Sequence, residues 1–302
     1  MERYLRPTPL FAYPGVDRLI GTQVLVKHEN HQPVGAFKVR GGINLIAQLG
    51  AEERARGVMG ASTGNHGQSI AYAAQLFDVA AEIFVPEGSN PVKVQAMRDM
   101  GAEVIEHGRD FDDAREKCQA AAEESGRRYI HSGNEPFLIE GVATYMLEIL
   151  DEVEPDVVFV PIGGGSGAAG VCIAVAGKGA RTRVIGVQSS AAPAAYRSWK
   201  EGTLVEDEMK TEAEGLATRT AFELPQQIMR EHLSDFVLVD ENEIKDAAWN
   251  ALELTRNLVE FAGAAALAAA YKMRDELRGQ TVAVIFSGGN LSPDQLRALA
   301  RR

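Results

Sequence analysis

Between Gly57 and His131 the chain alternates short apolar runs with stretches of helical spacing, and this alternation constrains the fold more than any other feature. Val58 to Ala61, Ala81 to Val85, Ala102 to Ile105 and Tyr129 to His131 read as strands. His66 to Phe77, Pro91 to Met100 and Phe111 to Glu124 read as the helices between them. Pro91 suits a first helical position, because its missing N–H has no acceptor there anyway. Such a βαβ series builds a small parallel sheet covered by helices. A second series runs through Asp156 to Pro161, Arg183 to Gln188, Phe236 to Val239 and Thr281 to Phe286. Helices at Gly167 to Ala176, Glu241 to Leu258 and Ala262 to Leu277 intervene. The strand Val24 to Glu29 and a helix opening near Lys38 precede the first series and are assigned to the second sheet. The expected fold is α/β with two parallel-sheet domains: residues 1–45 and 141–302 form the larger, 46–140 the smaller.

Composition excludes several classes of function. The chain has 302 residues, 45% of them hydrophobic and 24% charged, enough to bury a large core. A formal net charge of −11 argues against a nucleic-acid partner, which needs clustered Lys and Arg. Cys118 and Cys172 fit no metal or redox spacing, and Cys172 reads as a core residue. Met1 to Tyr4 lacks the apolar segment of a signal peptide, and the longest apolar run, Phe261 to Tyr271, is too short for a bilayer. A soluble cytoplasmic protein without a membrane partner is expected.

Four segments carry chemistry. Gly163-Gly164-Gly165-Ser166-Gly167 follows the strand-like Val157 to Pro161 and precedes a helix. Its backbone N–H groups and the helix dipole suit a phosphate, and five small residues exceed what a tight turn requires. Gly165, Gly167 and Gly170 also spell the dinucleotide pattern, but Gln188-Ser189-Ser190 stands where an acidic residue belongs, so an NAD-dependent oxidoreductase is the weaker reading. Lys38 follows Pro33-Val34-Gly35-Ala36-Phe37, where an amine loses hydration, its pKa falls, and it can form an imine with an aldehyde. Arg40, two residues on, is expected to add repulsion in the same direction. An aldehyde-reactive amine and a phosphate cradle together suit pyridoxal phosphate. Ser62-Thr63-Gly64-Asn65-His66-Gly67-Gln68 sits where a strand meets a helix, and can receive a carboxylate or simply cap the helix. Ser287-Gly288-Gly289-Asn290 ends the last apolar strand.

In this order the four segments resemble the fold type II pyridoxal-phosphate enzymes, the tryptophan synthase β-like fold, and within them the threonine/serine dehydratase and serine racemase group. The resemblance covers nearly the whole chain; its most specific parts are Gln32 to Gly41, Ser62 to Gln68 and Ser287 to Asn290. It implies an active site in the cleft between the domains, a mobile smaller domain and a homodimer. Lys38 takes the place of the Schiff-base lysine and of the base that removes the α-proton. Asn65 takes that of the asparagine bonded to the cofactor's phenolic oxygen. Gly163, Gly164, Gly165, Ser166 and Gly167 match the phosphate loop, and Ser287 the residue facing the pyridine nitrogen. Ser62, Thr63, Gly64, Asn65 and His66 match the loop that receives the substrate carboxylate, with Thr63 where serine racemases carry their second base.

The implied reaction is β-elimination from a 3-hydroxy amino acid, such as threonine or serine, to a 2-keto acid and ammonia. A racemase, a lyase for 3-hydroxyaspartate or phenylserine, and an inert binding protein are the alternatives. Glu212 and Glu214 fall near the group's cation site, but Lys210 replaces one of its carboxylates, so no metal is expected. Glu260 resembles part of a Glu-Pro segment whose proline is lost. The short stretch after Asn290 leads to the expectation of no C-terminal regulatory domain. Glu140 and Val142 are taken as candidates for the substrate-pocket wall.

Overall fold

The computed structural model describes residues 1–301. Among the described residues ten strands form two sheets. The larger contains β1 (Leu10–Ala12), β2 (Gln23–Lys27), β7 (Val157–Pro161), β8 (Arg183–Ser189), β9 (Asp235–Val239) and β10 (Thr281–Ile285), in the order β1-β2-β10-β7-β8-β9. The smaller contains β3 (Val58–Ala61), β4 (Ala81–Val85), β5 (Glu103–Glu106) and β6 (Arg128–Tyr129), in the order β5-β4-β3-β6. All pairings are parallel except the short edge strand β1 against β2.

Strands of a parallel sheet are covered on both faces and so read as continuous apolar runs. Val157 to Val160 of β7 and Val282 to Ile285 of β10 are buried accordingly. The helix Phe261–Lys272 is alanine-rich on every side, and Phe261 through Ala270 are all buried. Helices 38–47, 65–76, 136–152 and 166–178 contribute to one continuous core, with Ile43, Ile70, Val142, Tyr145 and Val171 among its members. Among the described residues no helix is long and apolar enough to cross a membrane. Cys118 and Cys172 are free and buried.

Both sheets reverse strand order at their centres. In the larger, β7, β8 and β9 step one way while β10 returns between β2 and β7. In the smaller, β4 and β5 lie on one side of β3 and β6 on the other. Ligand clefts of open α/β sheets form at such reversals, beyond the strands' carboxyl ends. The segments following β3, β7 and β10 are Ser62–His66, Gly163–Gly167 and Ser287–Asn290.

Several elements differ from the sequence reading: the edge strand β1 and the short helices Pro14–Ile20, Ala51–Arg56, Ala194–Glu201, Glu223–His232 and Pro293–Leu299 had no expected counterpart. The helix Pro136–Glu152 had no expected counterpart, although its buried positions recur with helical spacing. The helix after β9 ends at Thr255 rather than Leu258, because Arg256 turns left-handed at φ 63° and its N–H bonds to the Leu252 carbonyl. The helix from Phe261 stops at Lys272, short of Leu277.

Candidate active site

Beyond those carboxyl ends lies one cavity of about 460 Å³. Lys38, the turn Ser62–His66, the turn Gly163–Gly167 and Ser287 all line it. Glu140 and Val142 do not: Glu140 is exposed and Val142 buried on the helix Pro136–Glu152, away from the cavity wall.

Lys38 opens the helix Lys38–Ala47. Its Nζ donates to Ser166 Oγ at 2.9 Å and to the Ser132 carbonyl at 3.3 Å, so no carboxylate neutralises it. Burial lowers its pKa to about 8. Arg40 has no part in this, contrary to the expectation of repulsion. Residues two apart on a helix point about 200° apart, and Arg40 is fully buried on the other side. There its guanidinium binds Glu29 (2.7 and 2.8 Å) and Glu148 (2.5 and 2.8 Å), while Lys27 joins Glu148 at 2.6 Å.

The glycine turn is forced to be glycine by what presses on it. A Cβ on Gly163 would sit 2.2 Å from the Gly215 carbonyl, and one on Gly164 2.2 Å from the Phe222 ring. Gly165 has φ 89°, which side chains rarely adopt. Gly167 is different: a Cβ there would make ordinary contact with Phe37 at 3.4 Å. The helix Ser166–Lys178 starts at this turn, so unpaired N–H groups and a helix dipole face the cavity.

The opposite wall keeps its side chains. Gly64 N donates to Ser62 Oγ at 3.0 Å. Thr63 is exposed to the cavity. His66 Nε2 lies 3.3 Å from the Ile130 carbonyl, which fixes the proton on that nitrogen. Its Nδ1 is buried without a partner, and burial first, then the charge of Lys38, pushes its pKa down to about 3. The imidazole is therefore neutral. Asn65 Nδ2 donates to Glu260 Oε1 at 2.6 Å, and Asn290 Nδ2 donates to Asn65 Oδ1 at 2.8 Å.

The expectations did not single out Lys93. Its Nζ reaches Glu214 at 2.5 Å and approaches Glu260 at 3.8 Å. Burial works against its charge, but Glu260 and Glu214 outweigh that and raise its pKa. Glu260, 6% exposed, is raised by burial against the pull of Lys93. Glu214 faces Lys93, and Glu212 faces Lys245 at 2.5 Å, so the two carboxylates meet ammonium groups rather than each other.

The family described as pyridoxal-phosphate dependent enzyme matches residues 1–288, and the chain belongs to that family. It is 39% identical over 306 residues to an L-threonine ammonia-lyase of Geobacter sulfurreducens, covering 100% of this chain and 76% of that one. It is 33% identical to the L-threo-3-hydroxyaspartate ammonia-lyase of Saccharomyces cerevisiae, covering 96% and 90%. The solved structure of processed threonine deaminase isoform 2 from Solanum lycopersicum superimposes with a TM-score of 0.93 at 31% identity, covering 98% and 88%. The fold is thus fold type II, and the cofactor is pyridoxal phosphate. The residues present fit that group: a stripped glycine turn for an anion, an unneutralised amine of lowered pKa, and orphaned buried atoms (His66 Nδ1 and Thr218 Oγ1) on residues lining the same cavity.

Proposed function

We propose that this chain is a pyridoxal-phosphate-dependent ammonia-lyase that converts a 3-hydroxy amino acid, L-threonine or L-serine in the first place, to a 2-keto acid and ammonia. One juxtaposition carries the reading: the Lys38 amine and the bare glycine turn share a single cavity, with Lys38 Nζ bonded to Ser166 of that turn. The relatives' names support it.

When bound, pyridoxal phosphate supplies an aldehyde that captures amino groups and a ring that withdraws electrons from the substrate's Cα. Gly163 to Gly167 would hold its phosphate through backbone N–H groups, and Lys38 would hold its aldehyde. Asn65 and Ser287, both on the cavity wall, would serve its ring oxygen and ring nitrogen. The Ser62–His66 turn grips the substrate carboxylate and so orients the Cα–H bond. Lys38 Nζ, bonded to no carboxylate, would take the Cα proton, a task that asks for a neutral amine near pH 7. The β-hydroxyl would take up one proton, matching the one removed from Cα, and leave as water; hydrolysis of the dehydrated product would then consume one water and release the 2-keto acid and ammonia. Ser287 is neutral, so it would not hold the ring nitrogen protonated as an aspartate does, which would favour prompt departure of the leaving group.

Residues 46–140 act as a mobile unit closing on residues 1–45 and 141–302, and the working form is a cytoplasmic homodimer. A second substrate, 3-hydroxyaspartate, is favoured by Arg109 at the cavity wall and by the name of the yeast relative. The test is a panel of threonine, serine, 3-hydroxyaspartate and phenylserine in both enantiomers, scored for keto acid, ammonia and inverted isomer. Keto acid with equimolar ammonia is expected. Inverted isomer alone makes the chain a racemase, and no product from any member refutes the lyase reading.

A further inference from the structure

Glu260 occupies the residue before the helix Phe261–Lys272, and its carboxylate makes no bond to that helix's free N–H groups. It turns instead to a residue 195 positions away and accepts from Asn65 Nδ2 at 2.6 Å. The surrounding backbone is shaped to let it do so. Its own N–H donates to the Gly288 carbonyl at 3.0 Å, and a Cβ on Gly288 would lie 2.3 Å from Glu260 Oε1.

Asn65 is held from its other end as well. Asn290 spends its amide hydrogens on the Val34 carbonyl at 2.9 Å and on Asn65 Oδ1 at 2.8 Å. Both ends of this relay are oxygen acceptors, the Val34 carbonyl and the Glu260 carboxylate. A backbone carbonyl can only accept, so the Asn290 nitrogen must face it, and its second hydrogen meets the Asn65 oxygen. The Asn65 nitrogen then faces Glu260. The amide is thus fixed by chemistry in one of two orientations, with one Nδ2 hydrogen committed and one left for a ligand oxygen in the cavity that Asn65 lines.

We infer that Glu260 is a positioning residue that acts through Asn65, presenting the free amide hydrogen to an acceptor oxygen of the cofactor. Lys93 keeps the carboxylate in place from the far side at 3.8 Å while itself bound to Glu214. The inference rests on the cofactor assignment above.

The test uses cofactor-free protein of wild type, Asn65→Ala, Glu260→Ala, Glu260→Gln and the double variant, each titrated with pyridoxal phosphate by absorbance, with kcat and KM measured after reloading. Loss of a hydrogen bond to a charged group predicts a cofactor dissociation constant about tenfold higher for Glu260→Ala and for Asn65→Ala. The double variant should be no worse than the weaker single, since one effect runs through the other. Glu260→Gln, which keeps an oxygen for Asn65 Nδ2, should recover most of the loss. KM for the amino acid should move less than kcat. Losses that multiply in the double variant, or a Glu260→Ala protein that binds cofactor like wild type, overturn the inference. If Glu260→Ala does not fold, Asn290→Ala tests the same relay from its other end, with the same non-additivity against Asn65→Ala expected. Wild-type protein that takes up no pyridoxal phosphate sinks the cofactor reading instead, a distinct result.

Discussion

Two strand-to-helix turns face each other across the cavity, and they are built on opposite plans. The turn after β7 has been stripped: Gly163 and Gly164 are pressed by the Gly215 carbonyl and the Phe222 ring until no side chain fits. The turn after β3 has kept its hydroxyls, amide and imidazole; those of Ser62, Asn65 and His66 are tied to something outside the turn or within it, and Thr63 is exposed to the cavity. The stripped turn presents backbone N–H groups of fixed direction and no selectivity beyond negative charge. The furnished turn presents groups that distinguish one ligand from another. On the function proposed above, a constant part of the ligand belongs at the first, and the part that changes from substrate to product at the second.

Lys38 stands between the two, bonded to Ser166 on one wall and to Ser132 beside the other. Replacing it therefore breaks both halves at once, and Lys38→Ala should give the largest effect. Turnover should fall by about a thousandfold or more, as expected for loss of a general base that also holds the cofactor. Borohydride reduction followed by peptide mapping should place a pyridoxyl tag on Lys38 in wild type and none in the variant. Wild-type turnover in the Lys38→Ala protein would remove the amine from the mechanism.

Within the stripped turn, neighbouring glycines should behave differently. A Cβ on Gly163 meets main chain at 2.2 Å, so the backbone must shift; on Gly167 it meets only the Phe37 ring at 3.4 Å. Gly163→Ala is expected to weaken cofactor binding by about ten- to a hundredfold and to cost about 1–3 kcal/mol of stability by overpacking. Gly167→Ala should stay within about threefold in affinity, since the added methyl makes an ordinary contact. Equal losses at both positions would mean that glycine is required by the ligand rather than by its neighbours.

What the sequence could disclose follows the same division. The glycine turn, the polar turn and the apolar setting of Lys38 are local patterns of a few residues, and the strand–turn–helix context of each lies in the flanking runs. The relay Val34–Asn290–Asn65–Glu260 and the Lys93 pairs join residues separated by up to 256 positions, and no spacing in the chain marks them. Arg40 misleads for a related reason: closeness in sequence to Lys38 says nothing of direction on a helix, and its partners Glu29 and Glu148 come from elsewhere. The helix Pro136–Glu152 was readable, since Leu138, Ile139, Val142, Tyr145, Met146 and Ile149 repeat at helical spacing after a proline. The β1 strand was not, being three residues long at a sheet edge.

The amine itself can be tested without any cofactor. Burial places its pKa near 8, so the neutral fraction of Lys38 should rise about tenfold between pH 7 and pH 9 and then level off; an unshifted lysine would rise about a hundredfold with no plateau. Competitive acetylation of cofactor-free protein, with the label located by peptide mass, reads this directly. The sign for stability is fixed too. A lysine whose folded pKa lies below its unfolded value binds fewer protons when folded, so the cofactor-free protein should gain stability as pH rises from about 8 toward about 10.5. A label profile that climbs without levelling would mean that the stripped wall does not dehydrate its neighbour.

The smallest expected effect belongs to the furnished turn. Ser62 is buried, and its hydroxyl accepts the Gly64 N–H at 3.0 Å. Ser62→Ala removes that acceptor and leaves a buried N–H unpaired, at a cost of about 1 kcal/mol, or about fivefold in an equilibrium constant. If this turn grips the changing part of the ligand, the loss should appear as a KM about fivefold higher for the amino acid. kcat should stay within about twofold, and the cofactor dissociation constant should not move. Gly163→Ala should show the mirror pattern, with weakened cofactor and a KM that changes little once the protein is saturated with it. A Ser62→Ala protein that loses cofactor instead of substrate affinity would erase the division of labour between the two turns, because each wall would then be holding the same end of the ligand.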